Sequence, residues 1–365
     1  MTAKFFTRTA PVLLAALLPL AAATTLCAQD GPYKILNTAK VGGDGGFDYL
    51  TADPANRTLY IARRAGATGH IAVYNLDTLA QVGDLADVSA QGAAVDDATG
   101  HGFATSRPVT MFDAKTFAVI KKIDTTGSPD GYINDPSTHR FYVLSHQAPN
   151  VTVIDDKDGT ILGTIDLGGM PEQAQLDGKG KMFIDLEDKS AIAVVDTAGM
   201  KMIGKYDLSS KGGGCAGLAM DTRNGILFAA CREKSNMIIL SSADGHIITD
   251  LPIGTGSDGA TFNPATMEAF SSQGDGTLTV IKENSPTSFA VEQTVKTPAG
   301  AKTITLDPKT GHLYLMAAEY AAPPAPPAPP AGAAPAPAGP GGPGGGFRRR
   351  GPMVPGSFSI IVVGK

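Results

Sequence analysis

The feature that most constrains the fold of this chain is a sequence element that returns about every 42 residues. In each copy an apolar stretch ends at an acid or amide, a few turn residues follow, and a second apolar stretch comes after the turn. The residues that end the first stretch, here called anchors, are Asp53, Asp96, Asp135, Asp177, Asp221, Asn263 and Asp307. Their separations of 43, 39, 42, 44, 42 and 44 residues are nearly constant. Self-similarity at such a period predicts a repeat architecture.

Each repeat has the pattern of four short strands. Asp and Pro favour the start of a turn, and a Gly such as Gly225 takes the left-handed backbone that a tight hairpin needs. Roughly twenty residues after each anchor, stretches such as Val151 to Asp155 alternate apolar and polar side chains, and another apolar stretch follows. Four strands in a repeat of this length are typical of a propeller blade. We therefore predict an all-β, seven-bladed β-propeller of four-stranded antiparallel blades.

The two ends of the chain predict how the ring closes. The last repeat supplies three strands, the third of them at residues 357–363, and lacks a fourth. Residues 33–40 form a strand without a repeat, and pairing it into the last blade removes two open sheet edges. The Pro/Ala/Gly-rich residues 319–356 interrupt that blade, and their composition indicates a solvated insertion. A tether to a partner or surface is the alternative for this segment.

Residues 1–28 have the pattern of a signal peptide. Lys4 and Arg8 precede an apolar run that ends near a small-residue cleavage site. We expect cleavage and a periplasmic or secreted protein, with a lipid anchor on Cys27 as the alternative. Residues 29–365 then form a single propeller domain, without a membrane-spanning segment and most simply a monomer.

Charge and cysteine content limit the partners and the compartment. The formal net charge is −5, and removal of the two cations in the leader makes it −7. Such a mildly acidic protein gives no strong signal for nucleic-acid binding. Cys215 and Cys231 remain after cleavage, and an even count in an oxidising compartment predicts a disulfide across one hairpin. Two buried free thiols are the alternative.

The candidate site is the mouth of the central channel. The first strand of each blade lines the channel, so positions five residues before the anchors should ring one opening. These positions are Asp48, Gln91, Asp130, Glu172, Ala216, Asp258 and Lys302. Facing carboxylates repel, and they therefore recruit a cation or shift their pKa values.

The polar members of this ring are the predicted ligand-binding residues: Asp48, Gln91, Asp130, Glu172, Asp258 and Lys302. The four acids, Asp48, Asp130, Glu172 and Asp258, are candidate ligands for Ca²⁺ or Mg²⁺, although no cofactor is required by the sequence. The alternative is a solvated acidic mouth whose charge is balanced by Lys302, Arg63 or Arg107.

The histidines add one candidate. His101, His139 and His312 fall in hairpin turns and are predicted to be solvated, whereas His146 follows a second strand and can face the mouth. No nucleophile elbow, zinc-protease, phosphate-loop or c-type haem motif is present. We therefore favour a binding or scaffold protein for a small molecule or protein partner. A Ca²⁺-dependent propeller hydrolase or lactonase is the alternative.

Several segments resemble the exported YVTN-type, or YncE-like, propellers. The segments that carry the resemblance are 46–54, 274–280, 291–297, 306–310 and 354–358. The resemblance covers nearly all of the chain after residue 32, apart from the Pro/Ala/Gly insertion. It implies seven blades, a periplasmic or secreted location and a ligand-binding role, and it brings no catalytic residues.

Overall fold

A computed structural model of the chain describes Met1 and residues 31–43, 45–64, 68–322 and 351–365. The predicted signal peptide, Cys27 and most of the Pro/Ala/Gly insertion lie outside the described residues. Within them the chain forms 28 β-strands in seven four-stranded antiparallel sheets. The predicted all-β propeller with seven blades is therefore confirmed.

The strands follow the repeat in chain order. The first strand is β1 (Lys34–Lys40). Blade 1 contains β2 (Gly46–Asp53), β3 (Thr58–Arg64), β4 (His70–Asn75) and β5 (Gln81–Leu85). Blade 2 contains β6 (Ala90–Asp96), β7 (His101–Ser106), β8 (Val109–Asp113) and β9 (Val119–Ile123). Blade 3 contains β10 (Pro129–Asp135), β11 (Arg140–Ser145), β12 (Val151–Asp155) and β13 (Ile161–Ile165).

The remaining blades repeat this order. Blade 4 contains β14 (Pro171–Leu176), β15 (Lys181–Leu186), β16 (Ala191–Asp196) and β17 (Lys201–Asp207), with a 3-10 turn at Glu187–Lys189. Blade 5 contains β18 (Cys215–Asp221), β19 (Ile226–Cys231), β20 (Asn236–Ser241) and β21 (Ile247–Pro252). Blade 6 contains β22 (Ser257–Asn263), β23 (Glu268–Gln273), β24 (Thr277–Ser285) and β25 (Ser288–Lys296). Blade 7 contains β26 (Ile304–Asp307), β27 (His312–Ala317), β28 (Ser359–Gly364) and β1.

The first strand of every blade lies innermost. First strands of consecutive blades contact each other around the whole ring, and β26 of blade 7 contacts β2 of blade 1. All first strands run in the same sense from one face of the ring to the other. Their starts therefore gather at one mouth of the channel, and their anchors gather at the opposite face.

The N-terminal strand closes the ring as predicted. β1 pairs antiparallel with β28, from Lys34 opposite Gly364 to Lys40 opposite Ser359. Just before β1, the backbone N–H of Tyr33 donates to Oε1 of Gln293 in blade 6 at 2.9 Å, and the Gln293 amide donates back to the Tyr33 carbonyl at 2.7 Å. Blade 7 is thereby joined to blade 6, and its strand β1 leads along the chain into blade 1.

Apolar side chains fill the seams between blades. Ile360 of blade 7 packs with Leu59 and Ile61 of blade 1, and Phe103 of blade 2 stacks on Phe141 of blade 3 with ring centroids 4.8 Å apart. Each such buried side chain contributes about 1.5–3 kcal/mol of transfer free energy. The described part of the chain contains no helix long and apolar enough to cross a membrane. The packed seams hold the strand starts in a fixed ring.

Candidate functional site at the channel mouth

The first strands bring the predicted ring positions to one mouth. The Lys302 ammonium binds Asp258 and lies 3.8 Å from Oδ1 of Asp48. Asp48 and Asp130 are close enough for their charges to repel each other. Ala216 is fully buried and offers no polar group.

A second set of positions, one per blade, supplies most of the cations at the mouth. Each ends the second strand of its blade or comes directly after it, and the set is Arg64, Arg107, His146, Glu187, Arg232, Gly274 and Ala318. Arg64 binds Gln91 and lies 3.6 Å from Asp48. Arg232 binds Asp258 and approaches Oε1 of Glu187 at 2.6 Å. Sequence reasoning named two members of this set, His146 as a candidate facing the mouth and Arg107 as a balancing cation.

Of the three cations expected to balance the acidic mouth, Lys302 contacts Asp258, whereas the contacts of Arg63 lie elsewhere. Its guanidinium donates to the carbonyl of Gly42 at 3.0 Å and lies over the Phe358 ring, 3.6 Å from the centroid. Successive side chains of a strand point to opposite faces, and the neighbouring Arg64 therefore reaches the mouth instead. Arg107 is exposed.

His146 lies between two buried carboxylates, those of Asp130 and Glu172, and the three form a triad. Its Nε2 is 2.9 Å from Oδ2 of Asp130 and 3.5 Å from Oε1 of Glu172. Asp130 is only 7% exposed and Glu172 only 8% exposed. Their ligand atoms and the histidine nitrogen all lie within 4.8 Å of one another.

We call this charged ring the collar, defined by Asp48, Arg64, Asp130, His146, Glu172, Glu187, Arg232, Asp258 and Lys302. Its charges are distributed unevenly. Asp258 contacts two cations, Arg232 and Lys302, whereas Asp130 and Glu172 share the single imidazole of His146. The negative charge of the collar is therefore concentrated on the side of blades 3 and 4.

Burial and charge shift the pKa values of this side. Desolvation raises the pKa of Asp48 to about 6, and repulsion from Asp130 adds to the increase. Desolvation likewise raises the pKa of Glu172 to about 7. Interactions with Asp130 and then Glu172 raise the pKa of His146 to about 10. The triad therefore carries an imidazolium at neutral pH.

Aromatic and amide side chains lie beneath the collar. The Tyr49 hydroxyl donates to Oε2 of Glu172 at 3.2 Å, and its ring packs edge-on against Tyr132 with centroids 5.8 Å apart. Gln173 donates to the carbonyl of Ala260 at 3.0 Å and thereby links blade 4 to blade 6 across the channel. A cavity of about 400 Å³ lies along the channel at this level. The collar thus sits above a polar, partly aromatic pocket.

Cys215 and Cys231 lie next to the collar at the start of blade 5. They are direct partners in the β18–β19 register, and their sulfur atoms are bonded. Arg232 follows Cys231 immediately, so the disulfide anchors the segment that presents this cation to Asp258.

Two of the turn histidines are partly exposed and also make contacts that the sequence did not predict. Nδ1 of His139 lies 3.1 Å from Oδ2 of the buried Asp96. His101 also makes a contact, between its Nδ1 and the backbone oxygen of Asp156 at 2.8 Å. Both lie at the face opposite the collar.

Seven four-stranded blades around a channel define a β-propeller. No family model and no curated protein matches the sequence. Among solved structures, a chain of the "Crystal Structure of Mitotic Checkpoint Complex" is similar with a TM-score of 0.66 and 11% sequence identity. The match covers 84% of this chain and 95% of that chain. At this identity the likeness supports the propeller fold alone, and the resemblance to the YVTN-type family stays a prediction.

Proposed function

We propose that this chain is an exported YVTN-type binding protein that holds a cationic ligand in its collar, between Asp130 and Glu172. The observation that carries the proposal is the shared histidine. Two carboxylates that are more than nine-tenths buried have one imidazole between them, and a third carboxylate, Asp48, faces them. A ligand cation would take the place of the charge that protonated His146 now supplies.

Two kinds of cation fit this chemistry. A transition-metal ion such as Zn²⁺ accepts one imidazole nitrogen and two carboxylate oxygens, which is the donor set of Asp130, His146 and Glu172. An organic ammonium would pair with the same carboxylates and lie near the Tyr49 ring. In both cases the positive charge of the ligand replaces the charge of protonated His146 beside Asp130 and Glu172. This replacement is the requirement that both kinds of ligand share.

Calcium fits the collar less well than the sequence suggested. Ca²⁺ takes oxygen ligands, and the proposed set was Asp48, Asp130, Glu172 and Asp258. Asp258 is bound by Arg232 and Lys302, so it would have to leave two cations to join the other three. The calcium-dependent hydrolase stays a sequence-based alternative that no described contact favours.

Export is supported by sequence and by one contact. The leader pattern of residues 1–28 lies outside the described structure, and the Cys215–Cys231 bond suits an oxidising compartment. Sequencing the N-terminus of protein secreted from an expressing cell tests this part of the proposal. A retained leader on soluble cytosolic protein would contradict it.

The ligand proposal is tested by titration calorimetry with Zn²⁺, Ca²⁺ and butylammonium as separate probes. Asp130→Asn and Glu172→Gln should each weaken binding of the true ligand class at least tenfold. Asp84→Asn is the matched control, because Asp84 is a more exposed carboxylate that also contacts a histidine, His70. Its affinity should equal that of the wild type.

The pH dependence of binding gives a second readout. The pKa of His146 is about 10 in the free protein, so a metal ion bound to its nitrogen releases a proton. Affinity for Zn²⁺ in the collar should rise up to about tenfold per pH unit between pH 6.5 and 8. The proposal fails if no probe binds, or if Asp130→Asn and Glu172→Gln both bind as the wild type does. Loss of Ca²⁺ binding in Asp258→Asn would instead support the wider four-carboxylate site.

A further inference from the structure

A second cluster of ligand-type side chains lies at the face opposite the collar, in the seam between blades 2 and 3. Asp96 is the anchor at the end of β6, His139 is in the turn between β10 and β11, and Asp156 follows β12. Nδ1 of His139 is 3.1 Å from Oδ2 of Asp96 and 3.7 Å from Oδ1 of Asp156. We call this cluster the seam triad. Its ligand atoms all lie within 4.8 Å of one another.

The state of Asp156 is the second observation that points to a ligand. Its side chain is fully buried, and among the described residues no hydrogen-bond donor satisfies either of its carboxylate oxygens. Burial is the main reason that its pKa is raised to about 7, and the nearby Asp96 adds to the shift. A buried carboxylate without donors is destabilising unless a cation or proton compensates it. The oxygens of Asp156 therefore face a position that a cation would occupy favourably.

The chain itself provides a comparison for this arrangement. Arg57 has the same place in blade 1 that His139 has in blade 3, four residues past the anchor and with a positive φ of 57° against 55°. Its guanidinium lies 2.7 Å from Oδ2 of Asp307, the anchor of the preceding blade, and also binds Asp77. Arg57 is a permanent cation with several donors. His139 brings one nitrogen to two buried carboxylates and leaves Asp156 unsatisfied.

We propose that Asp96, His139 and Asp156 bind a divalent transition-metal ion that links blade 2 to blade 3. Zinc bonds to nitrogen and oxygen at about 2.0–2.2 Å, which puts neighbouring ligands of a tetrahedral ion roughly 3.3 Å apart. The separations of 3.1 and 3.7 Å bracket that value. Two carboxylates and one imidazole are also a donor set that such ions accept.

The surroundings suit an ion that enters from solvent. The His139 side chain is 30% exposed, whereas both carboxylates are buried, so the imidazole lies at the entrance. His101 holds the backbone oxygen of Asp156 at 2.8 Å and fixes the segment that carries this ligand. We assign His101 a positioning role. A water molecule would complete the coordination from the solvent side.

The test measures bound zinc in the full chain after chelation, reloading and gel filtration, by elemental analysis. His139→Arg is the main variant, because the chain already uses Arg at the equivalent position in blade 1, so a cation stands beside the two carboxylates and the metal ligand is lost. We expect His139→Arg to bind one equivalent fewer than the wild type. Asp156→Asn should lose the same zinc equivalent. This second variant keeps the test decisive if one of the two does not fold.

His146→Gln separates this proposal from the proposed function. It removes a ligand of the collar. The zinc equivalent bound by the seam triad should be unchanged in this variant, and so should the rise in melting temperature that this zinc causes. That rise should be absent in His139→Arg. The proposal is overturned if wild-type protein binds no zinc, or if folded His139→Arg and Asp156→Asn bind as much as the wild type. Loss of the only zinc equivalent in His146→Gln would also overturn it, and would place the ion in the collar.

Discussion

Replacing His146 by Gln should destabilise the protein in a way that depends on pH. The pKa of His146 is raised to about 10 by Asp130 and Glu172, so the folded protein holds this proton more tightly than the unfolded chain does. The ordinary pKa of a histidine is about 6.5, and each pKa unit of difference corresponds to about 1.4 kcal/mol of stability. The raised pKa of His146 therefore corresponds to about 5 kcal/mol of stabilisation of the folded protein. The imidazole is 30% exposed, and solvent screening reduces this figure to roughly 2–4 kcal/mol.

The sign of the pH dependence follows from the direction of the shift. A histidine with a raised folded-state pKa stabilises the protein fully below pH 6.5 and loses that effect as the pH rises through about 10. The stability gap between wild type and His146→Gln should therefore shrink by roughly 1.5–3 kcal/mol between pH 7 and pH 9.5. His146 lowers the pKa values of Glu172 and Asp48, so both acids keep their protons to a higher pH in His146→Gln than in the wild type. Their deprotonation in the variant costs stability as the pH rises, so a shrinkage of roughly 1.5–3 kcal/mol is the upper range.

Urea unfolding at the two pH values, followed by fluorescence of the tyrosines with the disulfide intact, measures this gap. His70→Gln is the control, because His70 contacts a single carboxylate and both side chains are about a third exposed. It should change stability by less than about 1 kcal/mol at either pH. A gap that is equal at pH 7 and pH 9.5 would show that His146 is not held as an imidazolium. The charge distribution inferred for the collar would then be wrong.

Two further predictions concern how the mouth is built. Replacing Cys215 and Cys231 together by Ser should lower the free energy of unfolding by about 3 kcal/mol, because the bond closes a loop with a sequence separation of 16. Thiol titration of the denatured wild type without reductant should find neither cysteine free. Gly131→Ala should cost about 1–3 kcal/mol in urea unfolding, since a Cβ there would lie 2.5 Å from the backbone oxygen of Glu172. Gly204→Ala, whose Cβ would meet only ordinary contacts, should be nearly neutral, and equal stabilities would contradict the close packing of blades 3 and 4.

The fold was predictable because its signal is repeated seven times. Every anchor ends an innermost strand or, for Asp177, follows one directly, so an error at one repeat could not shift the others. The closing strand was predictable for a different reason. Residues 33–40 had the pattern of a strand and no place in any repeat, and the last repeat was one strand short. Both inferences depend on spacing, which sequence shows directly.

The charge balance of the mouth was not predictable in the same way. Counting back from the anchors gave one ring of positions, and the partners come from another strand of each blade. Those partners stand eleven residues after each anchor, or ten in the fourth repeat. A second count along the same repeat therefore predicts their positions. Arg63 and Arg64 show why the count must be accurate. A shift of one residue along a strand moves a side chain to the other face of the sheet.

The seam triad had an even weaker local signal. His139 could have been noticed by comparing the turn position that holds Arg57 in the first repeat. Asp156 could not, because its burial arises from contact between two blades and nothing in its own segment marks it. Such a residue becomes visible only when both sides of the seam are packed.

The collar triad and the seam triad share one hairpin of blade 3. Asp130 is the second residue of β10, His139 lies in the β10–β11 turn, and His146 follows β11. The two ends of the hairpin are about 20 Å apart, at roughly 3.3 Å per residue. At physiological ionic strength, charges interact weakly beyond about 8 Å. The strands that connect the two triads are hydrogen-bonded in a single arrangement, so they offer no second conformation through which one triad could affect the other. A cation bound at one triad should therefore leave the pKa values and the affinity of the other unchanged, which is why a substitution in each serves as the control for the other.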